Sequence, residues 1–299
     1  MKWTKTIKLP ATQPALSIKD QLKAWRLPKH LRGTLRQERR VLLNGIYQPT
    51  STILKPGDEL TMQFLTTDFE PGQTYLANTT QELPILFENT DLIVINKPKG
   101  MKSHPNSPTE TETVMNYVEG YLQQTGQHAY MVHRLDGQTT GAMMVAKNPI
   151  VVPILNQLLR EKRIKRTYMA WVCGAITEEH GVIDLPIGEH PTDSRLRQVN
   201  GANALPAQTT WTKVHHVYQN TLVRLDLQTG RTHQIRLHMA AIGHPLVGDD
   251  LYNPRSTYTD GLLLHAMSLQ IPLPFAHEVH SIGAPLPCSF PRNLRKTIQ

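Results

Sequence analysis

The chain has 299 residues, 39% of them apolar and 19% charged; that suits one large domain, or a large one with a small appendage, and opposes wholesale disorder. No apolar run is long enough to span a bilayer, the N-terminal MKWTKTIKLP lacks the apolar stretch of a secretory signal, and the two cysteines, Cys173 and Cys288, can form neither a disulfide framework nor a four-cysteine metal site, so the expected compartment is the reducing cytoplasm. The net charge of +8 is concentrated: residues 1–66 hold 12 Lys/Arg against 4 Asp/Glu, whereas the remaining 233 hold 20 against 20. Such a split predicts two units of different electrostatic character, the basic one suited to a polyanion.

In chain order, residues 17–41 read as one or two basic helices interrupted at Pro28 and Gly33. Lys19, Lys23, Arg26, Lys29, Arg32, Arg36, Arg39 and Arg40 recur there at roughly helical spacing. Short β-prone runs follow, with Asn44-Gly45 and Pro56-Gly57-Asp58 as turns. Cationic helices before a small β element, with Leu43-Asn44-Gly45 and Pro56 to Leu60, resemble the small RNA-binding domain named after ribosomal small-subunit protein S-four. On that resemblance Lys23, Arg26, Lys29, Arg32, Arg36, Arg39 and Arg40 are the candidate RNA-binding cations. A solvated basic face without a partner is the competing reading.

Residues 67–84 lack periodicity and read as a linker. A strand is expected at Asp91 to Asn96, ending at Lys97-Pro98-Lys99-Gly100, then a helix over 112–124 with Val114, Val118, Tyr121 and Leu122 on one face. Asn148-Pro149 reads as the start of a helix running to about Lys162. Thr167 to Val172, Gln208 to Val217, Thr221 to Leu227 and Leu262 to Ile271 read as strands, and their irregular mixing with helices predicts an α+β fold. The expected division is 1–66, a linker 67–84, and 85–299.

Several common sites are absent. There is no glycine-rich phosphate loop ending in Gly-Lys-Ser/Thr and no GxGxxG after a strand. His233 and His238 are five apart with no acidic residue between them, which misses the spacing of helical zinc ligands. Ser/His/Asp chemistry lacks a nucleophile elbow.

Three segments remain. In His133 to Gly141, two glycines bracket a tight loop that presents Asp136 at a sheet edge, where it can serve as nucleophile or base, or merely stabilise the turn. Around Arg166-Thr167-Tyr168, a tyrosine follows a run of cations, a combination suited to base stacking beside phosphate, or to a plain core position. In Thr229 to His238, a helix starting near Arg231 would align Arg231 with Gln234, Ile235 and His238, leaving Arg231 available to a carboxylate from a distant loop.

NKPKGMKSHP (Asn96 to Pro105), HRLDGQTTG (His133 to Gly141), RTYMAWVCG (Arg166 to Gly174) and TGRTHQIRLHMAAIGHPLVGD (Thr229 to Asp249), in this order, resemble the RluA-type family of RNA pseudouridine synthases, especially its RluD-like members with an N-terminal S-four-like domain. The match covers about 88 to 270. Gly137-Gln138 and Thr140 stand where the family more often has a charged pair and serine, and Ala142-Met143-Met144 replaces a more leucine-rich run.

The resemblance implies a catalytic domain on a mixed, mainly antiparallel sheet. It implies an enzyme that isomerises uridine to pseudouridine in ribosomal or transfer RNA, with no cofactor, no metal, no membrane and no obligate protein partner. It makes Asp136 the catalytic aspartate, with Tyr168 stacking on the base and assisting removal of the carbon-5 proton. Arg231 would pair with Asp136, Arg134 would contact the flipped nucleotide or hold its space, Ile235 would form apolar wall, and His133 would order the loop. Attack on the sugar, attack on the base and removal of a 2′ proton all remain open to Asp136. An inert RNA-binding or ribosome-assembly protein on the same scaffold is the alternative.

Overall fold

The computed structural model describes residues 2–290 except 71, 254, 255, 257, 259 and 277. The N-terminal unit runs β1 (Lys2–Lys8), α1 (Ile18–Ala24), α2 (Lys29–Gln37), β2 (Val41–Leu43), β3 (Ile46–Tyr47) and β4 (Glu59–Leu65). Ser17 caps α1 by accepting the Asp20 amide at 3.1 Å. Pro28 separates the helices from the N-cap of α2, whereas Gly33 lies inside α2 and does not break it. Glycine there costs about 1 kcal/mol, which burial of Leu31 and Leu35 outweighs. The strands pair antiparallel in the order β1-β4-β2-β3.

A larger sheet follows, from β5 (Ile85–Glu88), β6 (Leu92–Lys97), α3 (Val114–Gln123), β7 (Tyr130–Met131), β8 (Thr140–Ala146), α4 (Val152–Arg160), β9 (Lys165–Cys173) and β10 (His180–Asp184). Three short strands, β11 (Ile187–Glu189), β12 (Arg197–Val199) and β13 (Ala202–Leu205), form their own small sheet. The chain then adds β14 (Gln208–Val217), β15 (Asn220–Leu227), α5 (Gln234–Ala241), β16 (Leu264–Pro272) and β17 (Val279–Gly283). The large sheet is ordered β10-β14-β15-β9-β16-β8-β6-β5, with β17 on β16 and β7 on β8. Its pairs are antiparallel except β8 with β16.

That parallel pair sits at the centre. Every residue of β8 is buried, as befits a strand covered on both faces. Gly141, opposite Ala266, has φ +108°, and a Cβ there would collide with the Ala266 carbonyl oxygen. Only glycine lets the loop carrying Asp136 enter the sheet so closely.

Some expectations shift. The helix expected from Asn148-Pro149 begins at Val152, because the Asn148 side chain reaches Asp91 at 3.1 Å and accepts the Val151 amide at 3.3 Å, closing a turn first. Tyr121 leaves the buried face of α3 and donates to Glu88 at 2.9 Å. Residues 67–84 are no free tether. The Asn78 amide donates to the Asn116 carbonyl at 3.0 Å, the Asn78 side chain to Thr111 at 2.8 Å, and the Asn116 side chain to Leu76 at 2.7 Å.

The two units share one apolar core. Leu22, Trp25, Leu31 and Phe64 belong to the same buried cluster as Leu92, Val94, Met144 and Leu155. Trp25 meets Phe275 edge-on with ring centres 5.4 Å apart. Lys5 binds both oxygens of Asp91 at 2.7 and 2.6 Å, and Arg26 binds Glu161 at 2.7 Å.

Candidate active site

The loop between β7 and β8 is fixed on both sides of Asp136. Ser103 Oγ accepts the Leu135 amide at 3.0 Å and donates to the Leu135 carbonyl at 2.6 Å. Lys97 Nζ donates to the Gly137 carbonyl at 2.8 Å and to Pro98 at 2.9 Å. Burial pushes the Lys97 ammonium down to about 7, against the pull of Asp136. Lys97 and Ser103 come from the Asn96 to Pro105 segment, so that motif is the buttress of the Asp136 loop. His133 accepts the Met144 amide on Nε2 at 2.8 Å, and burial holds it down to about 3. It is a neutral structural acceptor.

Asp136 borders a cavity of about 470 Å³. Tyr168, on β9, forms a wall and is 6% exposed; burial raises its hydroxyl, Arg166 opposes this, and Asp136 adds to it. Arg166, two residues earlier, lines the same cavity and donates to the Thr229 carbonyl at 3.1 Å. Buried Ile235 supplies apolar wall, and exposed Arg134 stands on the loop itself.

Arg231 does not pair with Asp136. It is exposed on the cavity lining, and its Nε donates to the Pro206 carbonyl at 3.1 Å. The arginine facing the carboxylate is Arg236, 3.9 Å from Asp136 Oδ2. The reason is helical phase. α5 begins at Gln234, after His233 at φ 58°, so a helical face counted from Arg231 is not a face of this helix. Gln234 Oε1 instead accepts the Arg231 amide at 3.0 Å and the Thr229 hydroxyl at 2.7 Å, tying the preceding turn.

Arg236 is itself clamped. Its guanidinium donates to the two oxygens of fully buried Asp249 at 2.8 and 2.6 Å, and to Asp250 at 3.2 Å. Burial pulls the Arg236 guanidinium down, but the hydrogen bonds and charge of Asp249 outweigh it and the net shift is upward. The guanidinium also lies 5.2 Å from the Tyr252 ring centre. With most of its donors committed, Arg236 offers a fixed positive edge to Asp136. Asp249 ends the fourth motif, but nothing in that spacing marks it as the partner of Arg236.

The candidate RNA-binding cations divide. Lys23, Lys29, Arg36 and Arg39 are exposed and Arg32 is half-buried, with Arg39 lying 5.3 Å from the Tyr47 ring centre. Arg40 is not available: it is 8% exposed and forks onto Asp68 at 2.6 and 2.8 Å. Arg26 is committed to Glu161 across the two units. Among the described residues, no group of three or more His, Cys, Asp or Glu is placed to hold a metal ion, and no helix is long and apolar enough to cross a membrane.

Residues 91–241 match the family model described as RNA pseudouridylate synthase, and residues 5–60 match the RluD ribosomal pseudouridine synthase N-terminal domain. The chain is 39% identical over 223 residues to an uncharacterized RNA pseudouridine synthase, YhcT, of Bacillus subtilis, covering 72% of each chain. It is 34% identical to ribosomal large subunit pseudouridine synthase D of Vibrio parahaemolyticus, over 83% of this chain and 80% of that one. Among solved structures it resembles human RNA pseudouridylate synthase domain containing 1, with TM-score 0.59 and 28% identity over 76% of this chain and 89% of that one. The chain belongs to the RNA pseudouridine synthase family.

Proposed function

We propose that this member of the RNA pseudouridine synthase family isomerises specific uridines in structured ribosomal RNA, with Asp136 as its catalytic group. The observation that carries the reading is the arrangement around Asp136. Its two neighbours in the chain are pinned by Ser103 and Lys97, and Arg236 stands 3.9 Å from its Oδ2. Tyr168 lines the cavity beside it. The Vibrio relative is by name a ribosomal large subunit enzyme, which favours ribosomal RNA as the substrate class.

The chemistry explains the enclosure. The uracil must leave carbon 1′, turn, and return through carbon 5, so it has to stay trapped between the two bonds. Unstacking the nucleotide first costs about a few kcal/mol. Tyr168 and Ile235 supply surfaces for the extruded base, and Asp136 meets it with a preorganised carboxyl group. On this reading Arg134 contacts the flipped nucleotide, and the exposed cations Lys23, Lys29, Arg36 and Arg39, with half-buried Arg32 beside them, grip the RNA backbone.

The test is incubation of purified protein with unmodified ribosomal RNA, followed by mapping of pseudouridine. Wild type forms it, whereas Asp136→Asn binds the RNA and forms none. Binding without turnover by the wild-type protein makes it an inert RNA-binding member of the family. Turnover by Asp136→Asn removes Asp136 from the chemistry.

A further inference from the structure

Asp136 has a second neighbour besides Arg236. His233 Nε2 lies 3.9 Å from the same Oδ2, while its Nδ1 lies 2.8 Å from the Tyr252 hydroxyl. The Arg197 amide donates to that phenolic oxygen at 2.9 Å. A phenol has one proton. Among the described residues, His233 Nδ1 is the acceptor the structure offers it. Nδ1 therefore accepts, and in the neutral ring the proton sits on Nε2, the nitrogen facing Asp136.

The surroundings favour the neutral ring. Burial disfavours the imidazolium, and Arg236 and Arg197 add to this, while Asp136 and Asp249 oppose it. Tyr252 is held in turn, with its ring against His233 at 5.6 Å between centres and against the Arg236 guanidinium. His233 also has a left-handed backbone, φ 58°, at the N-cap of α5. That conformation is disfavoured for any residue with a Cβ, and here it is kept beside the proposed catalytic group.

We propose that Tyr252 and His233 form a positioning relay for Asp136: the Tyr252 hydroxyl fixes the Nε2–H tautomer of His233, whose Nε2–H and the Arg236 guanidinium together hold Asp136 Oδ2 while the nucleotide reacts. The role rests on the reading of Asp136 as catalytic. At 3.9 Å both contacts are long for hydrogen bonds, and contacts of this kind shorten when substrate closes a site.

Two experiments test it. Imidazole nitrogen NMR of the free protein reads the tautomer without reference to activity. The Nε2–H form at neutral pH in wild type, lost in Tyr252→Phe, is the expected result; an Nδ1–H form or an imidazolium in wild type overturns the relay. Kinetics with ribosomal RNA supply the second. Tyr252→Phe should lower kcat about tenfold, one hydrogen bond's worth, with KM unchanged. Its acid limb should move to higher pH, because Nδ1 is freed to take a proton. His233→Asn keeps a residue tolerant of positive φ and has no titrating ring, so the double variant should lose that shift. An unchanged kcat and pH profile in Tyr252→Phe overturns the relay. If no variant or wild type forms pseudouridine, the functional reading fails, and the tautomer still decides the relay's geometry.

Discussion

The two units use positive charge in opposite ways. In the N-terminal unit Lys23, Lys29, Arg36 and Arg39 project into solvent, whereas Arg40, Arg26 and half-buried Arg32, which donates to the Leu27 carbonyl, are engaged. Around Asp136 the critical arginine is buried, and three carboxylates surround it. Solvated surface cations attract a phosphate backbone in many registers, whereas a clamped guanidinium fixes one geometry to a fraction of an ångström. On the proposed function the difference separates affinity from chemistry, which is how nucleic-acid contacts divide between holding and reading.

The sharpest way to break this contrast is to remove one arginine of each kind near the cavity. Arg236→Ala leaves fully buried Asp249 without its partner, and should cost about 3–5 kcal/mol in urea unfolding, with activity lost as well. Arg231→Ala removes an exposed side chain bonded to one carbonyl, and should cost under about 1 kcal/mol. Equal losses would mean that the clamp around Arg236 is not what holds the site.

Acid should separate the units next. Burial holds His265 down to about 4 and His133 down to about 3, from an ordinary 6.5. Folded, both stay neutral; unfolded, they take up protons below about pH 6.5. Stability therefore falls as pH drops through 6.5 and levels off near 4 and 3, with a slope of up to about 1.4 kcal/mol per pH unit for each histidine. In the N-terminal unit Asp68 is held low by hydrogen bonds from Arg40, so its contribution is lost only below the ordinary 3.8. Hydrogen exchange, corrected for intrinsic rates, should show β8 and β16 losing protection before β4. Simultaneous loss would mean that the shared core makes one cooperative unit.

What the sequence makes legible follows the range of the interaction. The Asp136 loop is local, since Gly137 and Gly141 lie within five residues of it, and β14 spans the expected Gln208–Val217. Arg236 is not legible, because the left-handed turn at His233 resets the helical phase. The Arg40–Asp68 and Arg26–Glu161 pairs join residues 28 and 135 apart, and no spacing announces them. The strand Lys2–Lys8 hides for another reason: Lys5 interrupts the alternation of Trp3 and Ile7, because its charge is taken up by Asp91.

The smallest expected effect is the most specific. Helices α1, α2 and α4 end on residues with left-handed backbones, Arg26 at φ 61°, Arg39 at 55° and Lys162 at 56°. Each closes the turn in which glycine is usual: the Arg40 amide reaches Leu35 at 2.8 Å and the Arg163 amide reaches Leu158 at 2.8 Å. A side chain there costs about 1–2 kcal/mol, while a cation at a helix C-terminus returns about 0.3–1 kcal/mol. Glycine also loosens the unfolded chain by about 0.4–1 kcal/mol, so Lys162→Gly should stay within about 1 kcal/mol of wild-type stability. Lys162 also lines the Asp136 cavity. If its charge contacts a phosphate, the same variant should bind RNA more weakly, and its log–log salt slope should flatten by about 0.7 for a single strand or 0.9 for duplex. Arg39→Gly makes a parallel case on α2, but it also removes the contact with Tyr47. A Lys162→Gly protein with wild-type RNA affinity at two salt concentrations would show that the cation serves the helix end alone.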